Sequence, residues 1–430
     1  MEHKKEDIHL NRYRPWIAAA LAVALLTGCG AVEEKSGIAA SAIEQIAQSS
    51  EEASPPEEEI TTADTSGMDF GFDESDTQEA EASTGTALVI SSGTLKVTAK
   101  NVGLGGKDCV KINSGSITAN AGSDGIRSDN DEDASRGYVY LYGGTIGITA
   151  GNDGIQAETV VNIENVDLTV KAGGGSGASL TSSEESYKGI KAGSDIYITG
   201  GSFSIDSLDD CIHSNGTITI SGGTISVVAS DDGLNAAGGT DASSAGTRPG
   251  KGSFSASTGK ILISGGTLSI RANGDGLDAN GTLAITGGTI TVVGPTSGDT
   301  AILDFDASGT ISGGTFIGLG AASMAQNFSA SSTQGVIMVT TGNQAAGTLV
   351  QLTDSSGNVL LSHTADQSFA CVILSHPSIL QGGTYTLAIG SSSTEITMTS
   401  TVYGGSGGMG GQTGTMGGGK GQMGMKGGRA

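Results

Sequence analysis

Basic residues are scarce in this chain, with 21 Lys and Arg against 45 Asp and Glu. A net charge of −24 gives a surface that repels nucleic acid and anionic lipid and attracts divalent cations. Aromatic residues make up only 4% and there is one Trp, which is too little for an ordinary globular core. Cysteine is rare too, with 4 in 430 residues. With Cys29 set apart for the reason given below, Cys109, Cys211 and Cys371 remain, an odd number that argues against a disulfide framework. Asp108-Cys109-Val110 and Asp210-Cys211-Ile212 read as the same repeat position, and Cys109 and Cys211 are then roughly 19 Å apart at the strand spacing, beyond disulfide reach. Long apolar runs are missing apart from Trp16 to Leu26, which is too short to span a bilayer as a helix. The rest of the chain is therefore expected to be soluble.

That short run carries a signal. Lys4, Lys5, Arg12 and Arg14 precede it, and Leu26-Thr27-Gly28-Cys29 follows it with the order of a bacterial lipobox. Residues 1–28 are expected to be a lipoprotein signal peptide, and Cys29 the lipidated first residue, anchored by more than one acyl chain on the extracytoplasmic side of the cell membrane. Residues 29–85, rich in Glu, Ser, Thr and Ala, read as an acidic disordered tether. Residues 404–430 are almost all Gly and Met and read as a disordered tail.

Glycine is abundant, at 72 residues, and it punctuates a repeat over about 86–328. The clearest unit runs from Gly216 to Leu234, with apolar residues alternating with polar ones at Ile218, Ile220, Ile225 and Val227. Alternation is the period of a strand with one buried face. Asp-Gly or Asp-Cys turns fall at Asp108, Asp124, Asp153, Asp210, Asp232 and Asp275, with Lys188-Gly189-Ile190 in the same slot. Three short strands in about 22 residues close one coil, and stacked coils bury a common apolar column. The expected fold is all-β: a right-handed parallel β-helix, right-handed by the usual chirality of parallel crossovers, followed over 329–403 by a small antiparallel, β-sandwich-like domain. A propeller blade would need about twice the period, and the Leu/Asn pattern of a leucine-rich repeat is absent.

The doubled aspartates Asp209-Asp210 and Asp231-Asp232 lie one repeat apart, so their carboxylates are expected to stack about 5 Å from each other. Like charges so placed either rise in pKa or share a cation, and an all-oxygen set suits calcium. Asp153 and Asp275 extend that column. Asp129, Asp131 and Asp133 form a second acidic loop, without the glycine and terminal glutamate of an EF-hand. The residue after the apolar one of each turn reads Lys111, Arg127, Gln156, Lys191, His213, Asn235 and Asp278, and is expected to face outward and meet an acidic sugar chain. Tyr138, Tyr140 and Tyr142 alternate outward, and aligning the Gly-Gly turns puts Tyr197 in the Tyr140 column with Asn162 between, the two rings roughly 10 Å apart. That spacing is comparable to a disaccharide, and tyrosine stacks on sugar faces. Thr224 with Ser226, Thr267 with Ser269 and Thr289 with Thr291 form an outward hydroxyl set of the kind found in ice-binding solenoids.

Lys188-Gly189-Ile190-Lys191-Ala192, then Asp209-Asp210-Cys211-Ile212-His213-Ser214-Asn215, then Asp231-Asp232-Gly233-Leu234-Asn235 resemble, in order, the motifs of a bacterial carbohydrate-binding family. That family has a pectate-lyase-like right-handed β-helix, is associated with cellulose and polygalacturonate, and carries calcium. The resemblance covers about residues 86–330. It implies binding rather than cleavage, with Asp209, Asp210, Asp231 and Asp232 at the metal and Lys188, Lys191 and His213 beside it. The chain departs from the family in Cys211 and in the short step from Asp108 to Asp124. The function expected is calcium-dependent, non-catalytic binding of a pectic or cellulosic polysaccharide at the bacterial surface, by a monomer with no nucleic-acid partner. The alternatives are a calcium-dependent pectate lyase with Lys191 or Arg127 as base, and a structural or ice-binding adhesin.

Overall fold

The structure, a computed structural model, describes residues 87–179, 182, 185–239, 258–296, 298 and 300–405. The leader, Cys29, the tether and the tail beyond residue 405 lie outside the described residues. Among the described residues every regular element is a strand, and the fold is all-β, with a parallel β-helix of about eight coils and an additional antiparallel sheet.

A regular coil crosses three faces, as in Thr217–Ile220, Thr224–Ala229 and Leu234–Ala236. Ile190, Ile212 and Leu234 stack in register on the third face, 22 residues apart, as the repeat predicts. Other steps on that face are longer, at 29 residues from Ile126 to Ile155, 35 from Ile155 to Ile190 and 43 from Leu234 to Leu277. Loops take up the excess and the strands keep their pairing. The inward side chains Ile155, Ile190, Ile212, Leu234 and Leu277 are all 0% exposed. Each such burial contributes roughly 1.5–3 kcal/mol, repeated along the column.

The corner between the first and second faces is tight. Gly201 and Gly223 adopt φ of 102° and 93°, a conformation that residues with a Cβ rarely adopt. A Cβ on Gly201 would also lie 2.4 Å from the carbonyl oxygen of Val166 in the coil beneath. Val166 itself occupies this slot in its own coil and turns its side chain into the core.

The structure corrects the sequence alignment in the first coils. Lys111 does not join the Arg127 column; it pairs with Val89 and Tyr140 on the first face. Gly105 is the residue in register with Arg127, so the coil from Leu104 to Ile126 has the regular 22-residue length. Asp108 and Asp124 are two different corners of one coil, which is why the step between them is short. Cys109 and Cys211 therefore hold different positions. Cys109 enters a first-face strand, whereas Cys211 stands at the corner where Gly189 and Gly233 stand in the adjacent coils. Cys109, Cys211 and Cys371 are free, buried thiols.

After the last coil the second face continues into antiparallel pairing. Thr315–Gly320 pairs with Phe369–Ser375, which pairs on its other side with Val336–Gln344. A four-stranded antiparallel sheet, in the order Val359–Thr364, Leu349–Asp354, Thr384–Ile389 and Ser392–Thr397, encloses a second core with these strands. Phe369–Ser375 feeds both interiors: Cys371 and Ile373 pack in the helix core, Val372 and Leu374 in the second. An otherwise open strand edge is thereby paired.

Candidate functional site

The corner between the second and third faces is built on aspartate. Aspartate suits a tight turn because its carboxylate can accept nearby backbone N–H groups. Here the acceptance runs between coils. Asp124 Oδ1 accepts from the Asp153 N–H at 3.2 Å, and Asp153 Oδ1 from the Lys188 N–H at 2.7 Å. Asp210 Oδ1 accepts from the Asp232 N–H at 3.1 Å, Asp232 Oδ1 from the Asp275 N–H at 2.5 Å, and Asp275 Oδ1 from the Ala301 N–H. At most of these corners the next residue is a glycine, Cys211 being an exception, and it lets the next coil approach. A Cβ on Gly189 would lie 2.4 Å from Ile205 Cγ2 and 2.5 Å from the Cys211 carbonyl oxygen.

The second oxygen of each corner carboxylate turns toward the third face, usually to the residue three positions on. Arg127 Nη1 lies 3.4 Å from Asp124 Oδ2, His213 Nδ1 is 2.8 Å from Asp210 Oδ2, and Asn235 Nδ2 donates to Asp232 Oδ2 at 2.8 Å. Asp153 Oδ2 is instead 3.9 Å from Lys191 of the next coil. Lys188, in an aspartate slot, breaks the series. Its ammonium is buried, 2.8 Å from Asp209 Oδ2 and 3.3 Å from Asp210 Oδ2. Burial alone would raise Asp210, but the Lys188 ammonium and the His213 ring hold it well below the usual carboxylate range. Asp209 is raised, by burial and by the Asp210 charge, against the pull of Lys188.

In the next two coils the acids meet one another. The residue three positions after Asp275 is Asp278, which offers only acceptor oxygens when ionised. Oxygens of Asp232, Asp275 and Asp278 lie within 4.8 Å of one another. Burial and then the neighbouring charges push Asp232 and Asp278 well above the ordinary carboxylate value; Asp304, in register with Asp278, is raised as well. Asn235 Oδ1, in register beside Asp278, is buried with no hydrogen-bond partner. This all-oxygen group fits a hard divalent cation. Asp209, Asp210 and Asp231 also converge within 4.8 Å, but there the Lys188 ammonium already supplies positive charge to two of the three. Among the described residues, Asp129, Asp131 and Asp133 do not form such a group. That loop is held by its own bonds: Asp133 pairs with Arg136 at 3.2 Å, and Asp129 with Arg127 at 3.1 Å.

The residues expected to contact sugar are therefore divided. Arg127 and Lys191 reach the third-face surface, with 36% and 21% of their side chains exposed. Lys188 and His213 are each 1% exposed, so as folded they face carboxylates rather than a ligand. The His213 ring folds back along its corner, Nδ1 to Asp210 and Nε2 toward Asn215 Oδ1 at 3.2 Å, which is why it leaves the outward row. Tyr140 and Tyr197 lie on the first face, each paired in register with Asn162. Thr224, Thr267 and Thr289 form a register column on the second face, beside Ser226, Ser269 and Thr291. Asn235 and Asp278 entered the sequence reading only as column members. The signal for their role was the three-residue spacing from Asp232 and Asp275, the same as Asp124 to Arg127 and Asp210 to His213.

No curated protein and no solved structure matches the chain. Residues 74–233, a stretch that includes Tyr138–Tyr142, Tyr197 and the corners from Asp124 to Asp232, match the family model described as "Carbohydrate-binding domain-containing protein".

Proposed function

We propose that the chain is a non-catalytic, calcium-dependent binder of pectic or cellulosic polysaccharide, held at the bacterial surface by lipid on Cys29. The matched family supports the polysaccharide, and the lipobox at Leu26–Cys29 supports the anchor. The observation that carries the calcium is the change of partner along the corner column. Arg127 and His213 serve Asp124 and Asp210, whereas Asp278 faces Asp232 and Asp275, and the carboxyls of Asp232 and Asp278 are pushed up by burial and by their acidic neighbours. Asp232, Asp275 and Asp278 would hold the ion, with Asn235 Oδ1 as a neutral oxygen nearby. Bound there, calcium would supply positive charge to an acidic surface and attract a uronate carboxylate. Arg127 and Lys191, part-exposed on the same face, would add cationic contacts along the chain.

A β-eliminating lyase would need a base within about 3 Å of the sugar proton it removes. Among the described residues Lys191 and Arg127 are the basic side chains that reach the surface of this face, His213 being buried, and each already lies against a corner carboxylate, at 3.9 Å and 3.4 Å. That favours binding. The test is to incubate the protein with polygalacturonate and calcium, following the ultraviolet absorbance of unsaturated product beside a pull-down. Retention without growth in absorbance is the expected result. Steady growth that disappears in Lys191→Ala would establish the lyase instead, and failure to retain any polysaccharide rejects both.

A further inference from the structure

The first face carries an aromatic array that the calcium-dependent reading leaves unused. Tyr138, Tyr140 and Tyr142 sit on one strand with ring centroids 4.5 Å and 6.1 Å apart in sequence order, so the Tyr140 ring is wedged between two others. A ring already fixed by its neighbours loses little freedom when a ligand stacks on it. Two rungs along the helix axis, on the far side of Asn162, Tyr197 is 38% exposed, among the most exposed large apolar side chains described. At the strand spacing the two tyrosine positions are about 10 Å apart. An extended β-linked glycan presents the same sugar face once per disaccharide, a comparable distance. Asn162, half-buried between the two, offers amide groups to sugar hydroxyls.

The charges around this array select the ligand. Tyr197 donates its hydroxyl to Asp195 Oδ2 at 3.3 Å, and exposed Glu164 follows Ile163, whose register partner Leu141 precedes Tyr142. Among the described residues in register here the cation is Lys111, whose ammonium lies 5.2 Å from the centre of the Tyr138 ring, while Arg136, two residues before Tyr138, is already paired with Asp108 and Asp133. A single lysine set against an aromatic face, with two carboxylates alongside, is a poor clamp for a polyuronate and no obstacle to a neutral chain. The array also lies on a different face from the aspartate corner and lies within the residues that match the carbohydrate-binding family.

We infer that the tyrosine face is a second glycan site, which takes a neutral, extended β-linked chain along the helix axis without calcium. It rests on the polysaccharide-binding reading above but not on the ion. The test uses the full mature chain and hydroxyethylcellulose, a soluble neutral β-glucan, in affinity electrophoresis with chelator present. The wild-type protein should be retarded. Tyr197→Ala should weaken binding about tenfold, the worth of one lost stacking contact, while Tyr197→Phe and Tyr140→Phe, which keep the rings, should bind as wild type. Melting temperatures establish that each variant is folded. Binding of polygalacturonate with calcium should be unchanged in Tyr197→Ala. No retardation in chelator, or a Tyr197→Ala protein that binds like wild type, overturns the inference. So does loss of both ligands in that variant at an unchanged melting temperature, because one site would then serve both. If polygalacturonate fails to bind the wild type while hydroxyethylcellulose binds, the calcium-dependent reading falls and the tyrosine site stands.

Discussion

The Asp124 corner offers a direct test of how far the aspartate column works against the fold at neutral pH. Burial first, and then the facing Asp153 charge, raise this carboxyl from 3.8 to about 6, against the opposing pull of Arg127. Between those two values the folded chain holds a proton that the unfolded chain has released. The stabilising contribution of protonation is therefore complete below 3.8 and is lost as pH rises through about 6. Above that, keeping the charge buried costs up to about 3 kcal/mol. Asp124→Asn removes the charge and retains an oxygen to accept the Asp153 N–H. In chelator, its urea midpoint at about pH 7.5 should exceed that of the wild type, by no more than the same ~3 kcal/mol after multiplication by the denaturant slope. The advantage should shrink to well under 1 kcal/mol near pH 4, where the wild-type carboxyl is protonated as well. A variant less stable than wild type at the higher pH, or a difference equal at both, would refute this account of the corner.

Calcium should raise the melting temperature of the mature chain, by the equivalent of about 2.7 kcal/mol at a hundredfold excess over its Kd, and Asp278→Ala should lose most of that gain. Superimposable melts in calcium and chelator would remove the ion from the proposal. Lys188→Met takes the ammonium from between Asp209 and Asp210 and leaves buried carboxylates uncompensated, so urea denaturation should show a loss of about 3–5 kcal/mol. An unchanged midpoint would mean that the ammonium does not hold this cluster. Cys29→Ala expressed in a bacterial host should appear in the medium, and continued membrane association would count against the lipid anchor.

Much of the helix was legible because its rules are local. Alternation at Ile218, Ile220, Ile225 and Val227 gives the strand period, and the 22-residue recurrence of Lys188, Asp210 and Asp232 gives the coil. The outward row after the apolar corner residue was legible for Arg127 and Lys191. It failed at Lys111 because Asp108-Cys109-Val110 and Asp210-Cys211-Ile212 are nearly the same triplet at two different corners, and only the cross-coil pairing separates them. The carboxylate-to-backbone bonds between coils were not legible, since each joins residues 22 to 43 positions apart. Burial of Lys188 runs against the strong surface preference of lysine, and depends on two acids that the coil brings to it.

The strand Phe369–Ser375 ties the two parts of the molecule at a place where the sequence suggests a seam. From residue 371 to 374 its alternate side chains belong to different interiors, Cys371 and Ile373 to one, Val372 and Leu374 to the other. Cutting the chain near residue 329, where the repeat ends, would strip the last coil of its neighbour and leave Thr315–Gly320 as an unpaired rim with Phe316 and Leu319 beneath it. Such a rim is a template for joining a second chain edge to edge. The shortened protein should therefore pair rim to rim with a second copy, while the intact chain carries its own stopper.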